Sequence, residues 1–122
     1  MPYLRIEYTD NLADFPSQQI LIEVNASLAG SDAIRSEFDL KSTVIALHDH
    51  KIGTSEEPRA FVYAQCFLYP GRSSDTRKNL AERIAGVLRR LIPRPVGTRI
   101  LLSVEMIEMN QDTYSVETLG ID

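Results

Sequence analysis

The chain opens with a stretch in which apolar and polar side chains alternate. Within residues 3–8 every second residue would face a core, and this period of two predicts a half-buried strand. After the turn residues Asp10 and Asn11, apolar residues recur at helical spacing between Pro16 and Gly30. The pattern predicts a helix that begins near the proline, which a first turn tolerates, and stops at the glycine. Its apolar positions are Ile20, Leu21, Val24 and Leu28.

The same order of patterns then recurs. The short apolar run 44–47, which is rich in β-formers, predicts a second strand, and the longer run 60–69 predicts a third. A turn follows, and Ser73 or Ser74 is placed to cap a helix. This helix carries a single apolar stripe before prolines end it. The stripe consists of Leu80, Ile84, Val87, Leu88 and Leu91.

Two further strands complete the predicted order. Residues 100–109 predict a fourth strand, and residues 113–118 a short one at the carboxyl end. The chain therefore divides into two β-α-β units, at about 2–58 and 60–110, related by a shift of about 58 residues. Right-handed crossovers make the two strands of each unit parallel. We predict an α+β fold in one domain over 1–122, with a four-stranded sheet and both helices on one face.

The face of this sheet away from the helices is expected to be uncovered. It would carry Tyr3, Phe61, Tyr63 and several aliphatic side chains. Monomers rarely expose an apolar face of that size, so the sequence predicts an oligomer.

Composition narrows the class of protein. The 122 residues are 43% hydrophobic and 25% charged, which is typical of a globular domain. A net charge of -4 argues against a general nucleic-acid binder. No apolar stretch approaches the roughly 18 residues of a membrane span, and the charged amino terminus lacks the apolar segment of a signal peptide. We predict a cytoplasmic protein without a membrane partner.

The proline at position 2 is the first candidate for chemistry. It is explained most simply as a residue tolerated at the start of an edge strand. If Met1 is removed, however, Pro2 exposes a rigidly held secondary amine, whose pKa burial and nearby cations would lower from roughly 8 toward neutrality. Such a base suits proton transfer near neutral pH. With Met1 attached, the same nitrogen belongs to an amide and is not basic.

The turn after the third strand is the second candidate. Residues 70–74 read Pro-Gly-Arg-Ser-Ser, so Arg72 would lie beside the amino terminus of a helix, where backbone N–H groups favour an anion. Its guanidinium can bind a carboxylate through two parallel hydrogen bonds. Taken alone, the motif also fits a surface arginine in a turn.

The remaining polar residues give weaker signals. His48 and His50 would share one face of a strand while Asp49 points away, and without a third ligand we predict a polar strand end and no metal site. Cys66 is the only cysteine, which excludes an internal disulfide framework and a cysteine-based structural zinc site. Its apolar surroundings predict buried packing.

Four features together resemble the tautomerase superfamily, and within it the 5-carboxymethyl-2-hydroxymuconate isomerases. They are Met1–Tyr3 followed by a strand, the segment 7–11 (Glu-Tyr-Thr-Asp-Asn), the segment 60–63 (Ala-Phe-Val-Tyr) and the turn 71–73 (Gly-Arg-Ser). Each fragment is short, but their order and spacing span nearly the whole chain.

The resemblance implies roles for three residues and an assembly. Pro2 would correspond to the amino-terminal proline that acts as general base and then as general acid. Arg72 would hold a substrate carboxylate. Lys41 would be the nearest counterpart of an arginine that the family places near the start of the second strand, although lysine lacks the planar fork. The resemblance implies no cofactor and no metal, and a homotrimer whose sheets face a central core.

The function that follows is a cofactor-independent isomerase or tautomerase. It would act on an unsaturated 2-hydroxy or 2-oxo dicarboxylate or tricarboxylate, similar to 5-carboxymethyl-2-hydroxymuconate, in the degradation of aromatic compounds. One alternative is a non-catalytic, ferredoxin-like regulatory module that binds a small ligand. Another is a family member in which the same proline supports dehalogenation or decarboxylation.

Overall fold

The computed structural model describes residues 2–120 and contains two β-α-β units in succession. Both predicted helices and the first four predicted strands are present, and two short 3-10 turns were not predicted. The strands are β1 (Tyr3–Thr9), β2 (Lys41–Leu47), β3 (Arg59–Leu68) and β4 (Arg99–Glu108); the helices are α1 (Ser17–Ala29) and α2 (Ser74–Leu91); the 3-10 turns are Glu37–Asp39 and Gln111–Thr113.

The four strands form one sheet in the order β2-β1-β3-β4. Each unit pairs its own two strands in parallel, as right-handed crossovers predict, and the antiparallel pair β1–β3 joins the units in the middle. In this register Tyr3 lies opposite Phe67 on one side and Lys41 on the other. The start of β1 therefore lies beside the end of β3 and the start of β2.

The core lies between the helices and one face of the sheet. Alternate residues of β3 are fully buried and face the helices, as the period of two requires. These are Ala60, Val62, Ala64, Cys66 and Leu68. Helix α1 contributes Ile20, Val24 and Leu28, and α2 contributes Leu80, Ile84, Val87 and Leu88. The prediction of an α+β fold with both helices on one face of a four-stranded sheet is confirmed.

The opposite face of the sheet differs from the apolar surface that the sequence predicted. Tyr3 stacks on Phe67 with ring centroids 6.0 Å apart, but polar pairs lie among the aromatic rings. Arg5 donates to the Gln65 amide oxygen across the β1–β3 pair and also covers the Phe67 ring. The face is mixed because the outward positions of β1 are an aromatic residue, Tyr3, and two charged residues, Arg5 and Glu7.

Polar pairing extends toward the edge of the same face. The Tyr63 hydroxyl donates to a carboxylate oxygen of Glu105 on β4, and this hydrogen bond is the main reason that the pKa of Tyr63 is raised. An assembly that covers this face has to keep such pairs satisfied, because an unpaired buried polar group costs about 1–3 kcal/mol.

The predicted strand at 113–118 is absent. After β4 the chain forms the 3-10 turn Gln111–Thr113, which the Asn110 side chain caps by accepting from the Asp112 N–H, and it then runs without regular structure. A strand needs a partner to complete its hydrogen bonds, and within residues 2–120 this segment has none. Tyr114 instead packs edge-on against Tyr69, with ring centroids 5.7 Å apart.

Neither described helix combines the length and the apolar character needed to cross a membrane.

Candidate active site

A cleft of about 730 Å³ lies at the end of the sheet where the central strand β1 begins. Four parts of the chain meet there: the start of β1, the connection from α1 to β2, the turn from β3 to α2, and the 3-10 turn after β4. The antiparallel register of β1 and β3 brings the first and third of these together. The lining consists of Pro2, Asp32, Ala33, Ile34, Arg35, Ser36, Asp39, Tyr69, Pro70, Gly71, Arg72, Ser73, Thr76 and Gln111.

Pro2 is buried at the base of β1 and lines this cleft. Its carbonyl oxygen accepts the backbone N–H of Lys41 at 3.2 Å, which continues the parallel pairing of β1 with β2 beyond Tyr3. The ring is therefore held by the sheet rather than left in a loose terminus. Met1 lies outside the described residues, so the removal of Met1 remains a prediction.

Arg72 reaches the same cleft because the turn before α2 has an unusual backbone. Gly71 has φ 115, a conformation that side-chain-bearing residues rarely adopt, and Ser73 caps α2 by accepting the Thr76 N–H at 3.1 Å. These two features fix the direction of the chain on either side of Arg72. The sequence prediction of a serine cap at this turn is confirmed for Ser73.

The Arg72 guanidinium is anchored by two backbone carbonyl groups. One terminal nitrogen donates to the Ala33 oxygen at 2.9 Å and the other to the Tyr69 oxygen at 3.3 Å. A guanidinium has five N–H donors, and among the described residues only these two have a protein partner. The side chain is half-buried, which strengthens its field relative to a solvated surface arginine.

Lys41 does not share this cleft. It is the first residue of β2, on the same face as its partner Tyr3, and its Nζ lies 5.9 Å from the centroid of the Tyr3 ring. That face is the one away from the helices. The structure thus brings Pro2 and Arg72 together and places Lys41 outside their site.

Sequence reasoning missed the residues that the α1–β2 connection contributes. Asp32, Arg35 and Asp39 all line the cleft, and Gln111 joins them from the turn after β4. The connection has no periodic pattern, so nothing in it marks a site. The predicted topology could have found this connection, however. Residues that precede two parallel neighbouring strands must lie at the same end of the sheet, so the segment before β2 lies beside Pro2.

The histidines singled out in the sequence lie elsewhere. His48 Nδ1 and His50 Nε2 contact the two carboxylate oxygens of Asp10 at 2.9 and 3.1 Å, respectively. These hydrogen bonds lower the pKa of Asp10, and all three residues follow the ends of β1 and β2, opposite the cleft. Among residues 2–120, no group of three or more such side chains is arranged to hold a metal ion.

Comparison with protein-family models decides the family. The model described as 5-carboxymethyl-2-hydroxymuconate isomerase matches residues 2–119. The chain belongs to this family. The resemblance drawn from the Met-Pro start and the Gly-Arg-Ser turn is therefore confirmed, and the family places the chain in the tautomerase superfamily. Comparison of the sequence with curated proteins gives no match.

Solved structures agree with the family. A 5-carboxymethyl-2-hydroxymuconate isomerase from Deinococcus radiodurans R1 is 26% identical with a TM-score of 0.86, over 95% of this chain and 88% of that one. A 5-carboxymethyl-2-hydroxymuconate delta-isomerase is 17% identical with a TM-score of 0.68, over 97% and 88%. A fused 4-OT, a wild-type symmetric trimer, is 13% identical with a TM-score of 0.70, over 94% and 93%. The last two show likeness of fold alone.

The cysteine of this family member should be inert in the folded protein. Burial raises the pKa of the Cys66 thiol to about 12, although the charge of Arg72 opposes the shift. A raised pKa means less thiolate at a given pH, on the order of one part in ten thousand at pH 8. We expect no reaction with a chromogenic disulfide reagent at pH 8 until the protein is unfolded. Equal rates for folded and urea-unfolded protein would contradict this.

Proposed function

We propose that this protein is a cofactor-independent isomerase of the tautomerase superfamily in which Pro2, freed of Met1, carries the proton. The amine lone pair takes the hydroxyl proton of a dienol. The electrons of that O–H bond form a ketone C=O bond, the conjugated double bonds shift, and a distant carbon takes the proton back from the ammonium. One double bond has then moved, and the enzyme regains its free amine.

One observation carries this proposal. Pro2 precedes β1 of the first β-α-β unit and Arg72 lies in the β3–α2 turn of the second, yet both line a single cleft. A secondary amine is a useful base only when its proton is weakly held, and both burial and a neighbouring cation disfavour the ammonium form. Pro2 is buried and shares its cleft with Arg72, which supports the role of base that the family resemblance implies for it.

The charge of Arg72 defines the substrate class. A guanidinium that keeps free N–H donors beside a helix amino terminus favours a carboxylate. We propose an unsaturated 2-hydroxy or 2-oxo dicarboxylate or tricarboxylate, with the carboxylate at Arg72 drawing electron density toward itself during the shift. Substrates of this kind arise when aromatic rings are opened, which supports a role in aromatic-compound degradation.

A binding module without catalysis is the main alternative. It would use the same cleft and the same arginine, but it would not need a free nitrogen at Pro2. A family member that performs dehalogenation or decarboxylation would need the amine and differ only in its substrate. The state of the Pro2 nitrogen therefore separates the first alternative from the proposal, and the choice of substrate separates the second.

Activity should depend on whether the Pro2 nitrogen is free. One preparation is resolved by mass spectrometry and ion exchange into Met1-free and Met1-containing fractions, and each is assayed by ultraviolet absorbance with 2-hydroxymuconate and phenylenolpyruvate. We expect turnover only in the Met1-free fraction, because an amide nitrogen cannot accept the proton. Equal activity in the two fractions would exclude amine catalysis and favour the binding module.

Arg72→Ala should lower kcat/KM by about 10- to 100-fold, the effect of losing one charge-assisted contact to a carboxylate. Arg72→Lys should fall between wild type and alanine, since it keeps the charge but loses the planar fork. Steady-state kinetics measure both variants, and urea unfolding confirms that they are folded. Arg94→Ala, an exposed position outside the cleft, is the matched control. Unchanged turnover of a dicarboxylate by folded Arg72→Ala would remove Arg72 from the site.

We further propose that the protein is a homotrimer. The mixed sheet face opposite the helices is unpartnered within the described residues, and both outer strands, β2 and β4, leave an edge open. A closed ring covers such faces and protects such edges. Light scattering at micromolar concentration should give three times the 13.7 kDa of one chain. The mass of one chain would contradict assembly, and that of two would contradict the number three.

A further inference from the structure

We propose that Arg35 binds the second carboxylate of the substrate and thereby sets a preference for dicarboxylates over monocarboxylates. The inference rests on the proposed function, in which Arg72 holds the first carboxylate. The family resemblance suggested Lys41 for a second cationic contact. The structure instead places Arg35 in the cleft.

The position of Arg35 is coupled to that of Arg72. The Arg72 guanidinium donates to the carbonyl oxygen of Ala33 at 2.9 Å, and Ala33 precedes Arg35 by only two residues. Two residues of extended chain span at most about 7 Å, so the backbone that carries Arg35 is held next to the Arg72 head group. Both arginines line the cleft, and this hydrogen bond keeps the backbone that carries Arg35 close to the Arg72 head group.

The two guanidinium groups differ in their burial and in the number of their protein hydrogen-bond partners. Arg72 is half-buried and gives two of its donors to backbone carbonyl groups. Arg35 is exposed, lines the same cleft and, within residues 2–120, has no ion-pair or side-chain hydrogen-bond partner. Its planar fork is thus available for bidentate binding to a carboxylate.

The other charged side chains of the cleft, both carboxylates, favour the two arginines as the positions for the ligand's carboxylates. Asp32 and Asp39 also line it, and among the described residues neither lies within ion-pair distance of an arginine. Each carboxylate repels an anion, so among the charged side chains that line the cleft only the two guanidinium groups attract the anionic ends of a ligand. The Lys41 ammonium lies over the Tyr3 ring on the sheet face away from the helices, and Lys41 is not among the residues that line the cleft.

A pair of inert ligands tests the inference without requiring turnover. trans,trans-Muconate and sorbate share the same conjugated six-carbon chain, but sorbate has a methyl group in place of one carboxylate. Isothermal titration calorimetry compares their binding to Met1-free wild type, Arg35→Gln and Arg35→Lys. Two further variants, Lys41→Gln and Arg94→Gln, remove the same unit of charge outside the cleft.

We expect Arg35→Gln to weaken muconate binding by about 10- to 100-fold and to change sorbate binding by less than about threefold. Arg35→Lys should lose part of the muconate affinity, and the two control variants should match wild type for both ligands. The inference is overturned if wild type does not prefer muconate, if Arg35→Gln weakens both ligands equally or neither, or if Lys41→Gln reproduces the selective loss.

The result is separable from the proposed function. If muconate binding depends on Arg35 but the Met1-free protein isomerises no dienol, the second carboxylate contact stands and the catalytic proposal fails. If the protein isomerises phenylenolpyruvate and 2-hydroxymuconate but Arg35→Gln retains full preference for muconate, the catalytic proposal stands and the assignment of Arg35 fails.

Discussion

The antiparallel register between β1 and β3 is the constraint on which the site depends. Tyr3 lies opposite Phe67, so Pro2 reaches the level of the last residues of β3, where the chain turns toward α2. A shift by one residue would move the buried positions of β1 to the opposite face of the sheet. The same pairing that builds the core therefore also determines which residues meet the amino-terminal proline.

A second interaction, a hydrogen bond made by Arg72, joins the two units at the cleft. Arg72, in the second unit, donates to the carbonyl group of Ala33 in the first. One cationic side chain therefore connects the two units along the wall of the cleft. Arg72 lines the same cleft as the buried Pro2, and only two of its N–H donors have protein partners among the described residues. One guanidinium thus links the two units, and Gly71 and Ser73 fix the direction of the chain on either side of it.

The sequence allows most of the fold to be predicted, because the alternation within residues 3–8 and the helical stripes reflect burial directly. The strand predicted at 113–118 was wrong because pairing depends on a partner that a local pattern does not reveal. Pro2 and Arg72 were recognisable from their motifs. Arg35 was not, because its place in the cleft depends on which connection the topology carries there. Lys41, which only the family resemblance suggested, lies outside the cleft, since the register puts it on the same face as Tyr3.

The central claim is that the Pro2 nitrogen is a free amine whose basicity the cleft has lowered. The most direct measurement is a pH titration of the Pro2 nitrogen resonance in Met1-free protein labelled with ¹⁵N-proline, compared with Arg72→Gln. The account predicts a pKa below the roughly 8 of an unperturbed α-amino group, rising toward that value when the cation is removed. A pKa at or above about 8 that does not respond to Arg72→Gln would contradict it.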